Sequence, residues 1–142
     1  MRASELMIGD WVNFLIDIEG CDTEYDPKNE IYQPMQIVNL TAWGNYDGEV
    51  ESTEGVINDI DQVKPIPLTA EILEKNGFIQ KQSEFINGDI GIIFTIRGFS
   101  FWSKKTIEIA CGNGSKINNL PCYVHQLQHT LRLCGIEKEI EL

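Results

Sequence analysis

The sequence has no apolar run approaching the ~18 residues that a membrane helix needs, and its opening Met1-Arg2-Ala3-Ser4-Glu5 leads into no stretch of signal-peptide length. A cytosolic protein without a membrane partner is expected. Histidine occurs only twice, at His125 and His129. Neither a Cys-x-x-Cys nor a His-Glu-x-x-His pattern is present, so the chain lacks the close cysteine pair of a structural zinc site and the general base of a zinc hydrolase helix. Cys21, Cys111, Cys122 and Cys134 are expected as thiols, as is usual in the cytosol. Positive charge is nearly missing from the first half. Residues 1–68 hold three Lys/Arg against fourteen Asp/Glu, and residues 69–142 hold eight of each, so the whole formal charge of −11 lies in the first half. An acidic surface repels phosphates and anionic lipids, which disfavours a nucleic-acid partner there. The balanced second half leaves room for a local basic patch.

What remains is enough for a core. The 142 residues fit one domain, 1–142, and can bury about two-thirds of their unfolded surface without staples. Hydrophobic residues make up 42% and charged residues 23%, near globular averages, which excludes wholesale disorder.

The tract Leu6–Asp10 reads as a tight turn into a strand from Asp10 to Asp17, with Val12, Phe14 and Ile16 on one face. A long polar loop is expected from Ile18 to Pro34, then a strand from Met35 to Ala42, a turn at 44–48, and short strands near 49–52 and 55–57. Lys64-Pro65-Ile66-Pro67-Leu68 reads as an extended connector, since each proline biases its predecessor away from helix. Thr69 is a good N-cap for a helix from Ala70 to Asn76 that stops at Gly77. Asn87-Gly88 signals a hairpin between strands 79–86 and 89–97, with Ile90, Ile92, Phe94 and Ile96 on one face. Strands are expected at 99–103 and 105–110, a Gly/Asn-rich loop at 111–119, and a helix opened by Pro121 and closed by Gly135. Its apolar stripe is Tyr123, Val124, Leu127, Leu131 and Cys134. Residues 137–142 alternate as a last strand. The pattern predicts an α+β fold: a small N-terminal twisted sheet or partly open barrel, a connector helix, and an antiparallel sheet with a C-terminal helix packed on it. Sub-domains are expected at 1–63 and 69–142.

Three tracts, residues 3–12 (Ala-Ser-Glu-Leu-Met-Ile-Gly-Asp-Trp-Val), 65–73 (Pro-Ile-Pro-Leu-Thr-Ala-Glu-Ile-Leu) and 123–128 (Tyr-Val-His-Gln-Leu-Gln), carry a resemblance. In this order and spacing the chain resembles a family of short uncharacterised proteins of Bacteroides-type gut bacteria and their phages and mobile elements. The resemblance implies a cytosolic or phage-associated protein and assigns no activity and no functional residue.

Four constellations bear on function. Arg97-Gly98-Phe99-Ser100-Phe101-Trp102-Ser103-Lys104 is close to the octapeptide with which RNA-recognition modules stack bases. Its partner hexapeptide would be 35–40, but some sixty residues intervene where about thirty belong. A looser ribbon of Arg97, Phe99, Phe101, Trp102, Lys104 and Lys105 is the candidate for holding a single strand by stacking and charge. The competing reading makes the alternate aromatics core and the lysines a wet face.

Cys122, His125 and His129 fall within about 60° on the helical wheel, opposite the apolar stripe, and are the candidate metal ligands, with zinc the suited ion. The competing reading is a pair of surface histidines. Asp22, Glu24 and Asp26 alternate like a calcium loop, but Pro27 stands where glycine is needed and Gln33 where glutamate is needed, so an ordinary acidic loop is expected. Gly112-Asn113-Gly114-Ser115-Lys116 reverses the Lys-Ser order of a phosphate loop and is read as a loop. No nucleophile has both a base and an orienting acid identifiable beside it, and no cofactor is implied. The leading expectation is a non-catalytic interaction or accessory protein whose acidic first half meets a protein partner. Single-stranded nucleic-acid binding through 97–105 and zinc binding through the last helix are the alternatives.

Overall fold

The computed structural model describes residues 6–19, 26–43, 46–95, 98–103, 117–120 and 123–142, with backbone alone at 42–43, 46–47, 94–95, 98–103 and 117–120. The fold is α+β and divides into two compact units, residues 1–66 and 67–142. The expected elements at 105–110 and Gly112–Lys116, and the residues Arg97, Lys104, Lys105, Cys111 and Cys122, lie outside the described residues.

The first unit is an open five-stranded sheet in the order β4-β3-β2-β1-β5, with β1 Trp11–Ile18, β2 Glu30–Trp43, β3 Tyr46–Ser52, β4 Ile57–Asp59 and β5 Lys64–Pro65. It begins with a type II turn. Asp10 N–H donates to the Met7 carbonyl at 3.1 Å, and Gly9 takes φ +86°, a conformation that favours glycine. The buried Asp10 carboxylate accepts from Met7 N–H at 2.7 Å and closes the turn. Val12, Phe14, Met35, Ile37, Val50, Ile60 and Val63 form the core on one sheet face.

Several expectations are corrected here. Ile16 does not join Val12 and Phe14; it is 43% exposed. The β1–β2 register steps from Leu15↔Tyr32 to Asp17↔Ile31, so Ile16 is the extra residue of a bulge and the alternation of faces breaks there. Val38, also exposed, lies at the matching irregularity between Ile37 and Asn39. β2 starts at Glu30 rather than Met35. Pro34 is tolerated because β2 pairs with β1 alone there; pairing with β3 begins at Ile37. Lys64–Pro65 is not merely a connector but a short strand paired with Val12 and Asn13.

Among the described residues the second unit is a five-stranded antiparallel sheet. β6 Ile79–Lys81, β7 Glu84–Asn87, β8 Ile90–Thr95, β9 Gly98–Ser103 and β10 Ile117–Leu120 lie side by side in chain order. The stretch 79–86 is two strands, because Lys81 pairs with Glu84 across Gln82-Ser83, with Gln82 at φ +58°. Asn87 pairs with Ile90, so the next turn is centred on Gly88-Asp89, one residue later than expected. Gly88 has φ +58° while Asp89 does not have positive φ, which matches a II′ turn with glycine first. The loop expected to run to 119 ends in β10.

Thr69 caps α1 (Ala70–Lys75), its hydroxyl accepting from Ile72 N–H at 3.3 Å, and Gly77 follows at φ +77°. The last helix, α2 (Val124–Leu133), buries Val124, Leu127 and Leu131 as its stripe predicts. Residues 137–142 form no strand, contrary to expectation.

Candidate functional site

The outer face of the first sheet is where the acidic charge becomes a surface. Leu40, Val50 and Asn58 stand opposite one another facing inward, so their neighbours in register face outward. Those neighbours are Asn39 and Thr41 on β2, Glu49 and Glu51 on β3, and Ile57 and Asp59 on β4. Glu49 lies directly across from Asp59, a like-charge pairing that weakens a sheet. Asn39 Nδ2 donates to Glu51 Oε2 at 3.4 Å. Ile57 is 61% exposed beside these acids. Asn39, Thr41, Glu49, Glu51 and Ile57 line a shallow groove of about 70 Å³. Ligand pockets span roughly 300–1,000 Å³. The groove is therefore much smaller than the pockets that enclose a small-molecule ligand.

A second cluster joins β2 to β5 across β1. Glu30 Oε2 accepts from both Lys64 Nζ and Tyr32 OH at 2.8 Å, and Lys64 Nζ sits 4.0 Å from the centre of the Tyr32 ring. Burial raises the Tyr32 hydroxyl above its usual value. The hydrogen bond to Glu30 raises Lys64 above its own. Each cluster member is used by the others, which gives the trio a structural role. The sequence does not announce it, because Glu30 falls within the expected polar loop and Lys64 within the expected connector, and only the β2-β1-β5 order brings them together.

The aromatic ribbon is divided by register. Ile92 pairs with Phe101 and Phe94 with Phe99, which puts positions 99 and 101 on the sheet face where Ile90 and Ile92 are buried. Position 102 pairs with Gly91 on the opposite face. The three aromatic positions therefore do not share one platform.

On α2 the two histidines are brought together, with ring centroids 5.9 Å apart and edge-on, and Tyr123 stacks on His125 at 5.9 Å. The expected solvent-facing position is corrected for His125, which is 2% exposed. Gln128 and Thr130 are buried too, so the helix is covered over far more than its apolar stripe and a single-faced wheel places His125 wrongly. His129 is half-buried. Among the described residues no three His, Cys, Asp or Glu side chains cluster to hold a metal ion.

Of the calcium-like run, Asp22 and Glu24 lie outside the described residues. Asp26 accepts from Lys28 N–H at 3.0 Å to cap a 3-10 turn at Pro27–Asn29, and Gln33 belongs to β2. Among the described residues no helix is long and apolar enough to cross a membrane. No family model, no curated protein and no solved structure matches the chain.

Proposed function

We propose that this protein is a non-catalytic interaction module of the cytosol whose acidic first unit docks a basic protein partner through the outer face of β2–β4. The observation that carries this reading is the placement of Glu49 opposite Asp59, next to Glu51 and exposed Ile57, on a surface with a shallow groove of about 70 Å³. Like charges held face to face at a cost to the sheet suit a surface that is neutralised on binding. An exposed aliphatic side chain within a charged rim supplies the apolar contact that such an interface needs. The resemblance of residues 3–12, 65–73 and 123–128 is what suggests an accessory role in a phage or mobile element.

The test is affinity capture, after nuclease treatment, with wild type, with Glu49→Gln/Glu51→Gln, and with Lys104→Glu/Lys105→Glu. The reading expects basic proteins on the wild type and on the lysine variant, and their loss from the glutamine variant. Capture that survives in the glutamine variant and is lost from the lysine variant contradicts it.

A further inference from the structure

The second unit already holds a peptide of its own, residues 136–142, which turns at Glu137, where Lys138 N–H donates to the Ile136 carbonyl at 3.1 Å, before it runs on to Leu142. Every second residue of this tail turns inward: Ile140 is 2% exposed, while Glu137, Glu139 and Glu141 are exposed. The alternation of burial is that of a strand, yet among the described residues no strand pairs with it. A side chain takes the place of the missing neighbour. Asn76, buried at the end of α1, donates from Nδ2 to the Glu141 carbonyl at 2.7 Å and accepts from the Glu141 N–H at its Oδ1 at 2.9 Å. Both main-chain groups of one residue are thus read by one amide, a recognition that ignores the side chain of residue 141. Asn76 is itself fixed. Its Nδ2 also donates to the Ile72 carbonyl at 2.7 Å, and its own carbonyl accepts from Asn87 Nδ2 at 3.0 Å. Lys75 Nζ donates to the Leu142 main-chain oxygen, and Lys138 Nζ lies 6.0 Å from the centre of the Phe78 ring.

We infer that the Asn76 amide, with the surroundings that bury Ile140, is a site for a peptide with a branched aliphatic residue one position before the residue Asn76 reads, and that the tail is its occupant in cis. The inference is independent of the acidic face. Ordering seven residues costs entropy comparable with what one buried side chain and a few hydrogen bonds return, so the tail opens without the sheet.

The probe is the fluorescent, C-terminally amidated heptapeptide of residues 136–142, titrated into the full chain. Ile140→Ser, which loosens the resident tail, is expected to bind it saturably. Wild type is expected to bind at least about tenfold more weakly, because its tethered tail competes at high effective concentration. Adding Asn76→Ala to Ile140→Ser, or serine at the peptide's fifth position, is expected to weaken binding at least about tenfold. No saturable binding to folded Ile140→Ser overturns the inference. So does exchange of tails into a dimer that never captures free peptide. Hydrogen exchange on wild type decides the matter if that variant does not fold. The Glu141 amide is expected to exchange through a local opening, well before the amides of β8. Exchange of both only with global unfolding contradicts the inference.

Discussion

Asn58, on the edge strand β4, donates its side-chain N–H to the carbonyl of Leu15 on β1, 3.1 Å away, although two strands separate them in the sheet. The sheet must curl strongly for this bond to form, while staying open. Leu15 borders the Ile16 bulge, where ladder pairing is disturbed, and Asn58 supplies a donor there. Asn58→Ala is expected to cost about 0.5–1.5 kcal/mol, the net worth of one part-buried hydrogen bond. Urea unfolding checks it. Unchanged stability would mean that the curl is held by the core alone.

Tyr32 and Lys64 predict a loss of stability at high pH. Both have folded-state values above their ordinary 10.0 and 10.5, Tyr32 through burial and Lys64 through its hydrogen bond to Glu30. At a raised value the folded state holds its proton longer than the unfolded state. The stabilisation is therefore complete below about pH 10 and falls as pH rises through the folded values. Unfolding midpoints measured from pH 8 to 11 should decline at the upper end, and Tyr32→Phe should flatten the decline. A slope indifferent to Tyr32→Phe contradicts the assignment.

Glu49→Gln should make the protein more stable, by a few tenths of a kcal/mol, because it relieves the repulsion across to Asp59. The gain should shrink as salt is added, since exposed charges are screened over about 10 Å at 0.1 M. A loss of stability at low salt would show that Glu49 serves the fold rather than a partner.

The sequence announces those features whose cause is local. Thr69 caps its helix, Gly77 ends it, and Val124, Leu127 and Leu131 mark the buried stripe of α2, because each signal lies within one element. Features that depend on a distant partner are silent. Nothing near Ile16 announces a bulge, because the extra residue is defined only against β2. Gln82 carries a turn without glycine, proline or asparagine, so two strands read as one. The alternation at 137–142 is real, but its partner is the Asn76 side chain instead of a strand. The acidic excess is countable in the sequence. Only the register shows that Glu49, Glu51 and Asp59 share a face and that positions 99 and 102 do not.

The most direct measurement is the affinity of a captured basic partner for wild type and for Glu49→Gln/Glu51→Gln, at about 50 mM and about 300 mM salt. The account predicts binding at least about tenfold weaker in the variant, and a shallower salt dependence than wild type, since neutralised positions no longer contribute charge. Affinity unchanged by the two substitutions at both salt concentrations would contradict the proposal that the β2–β4 face is where this protein meets its partner.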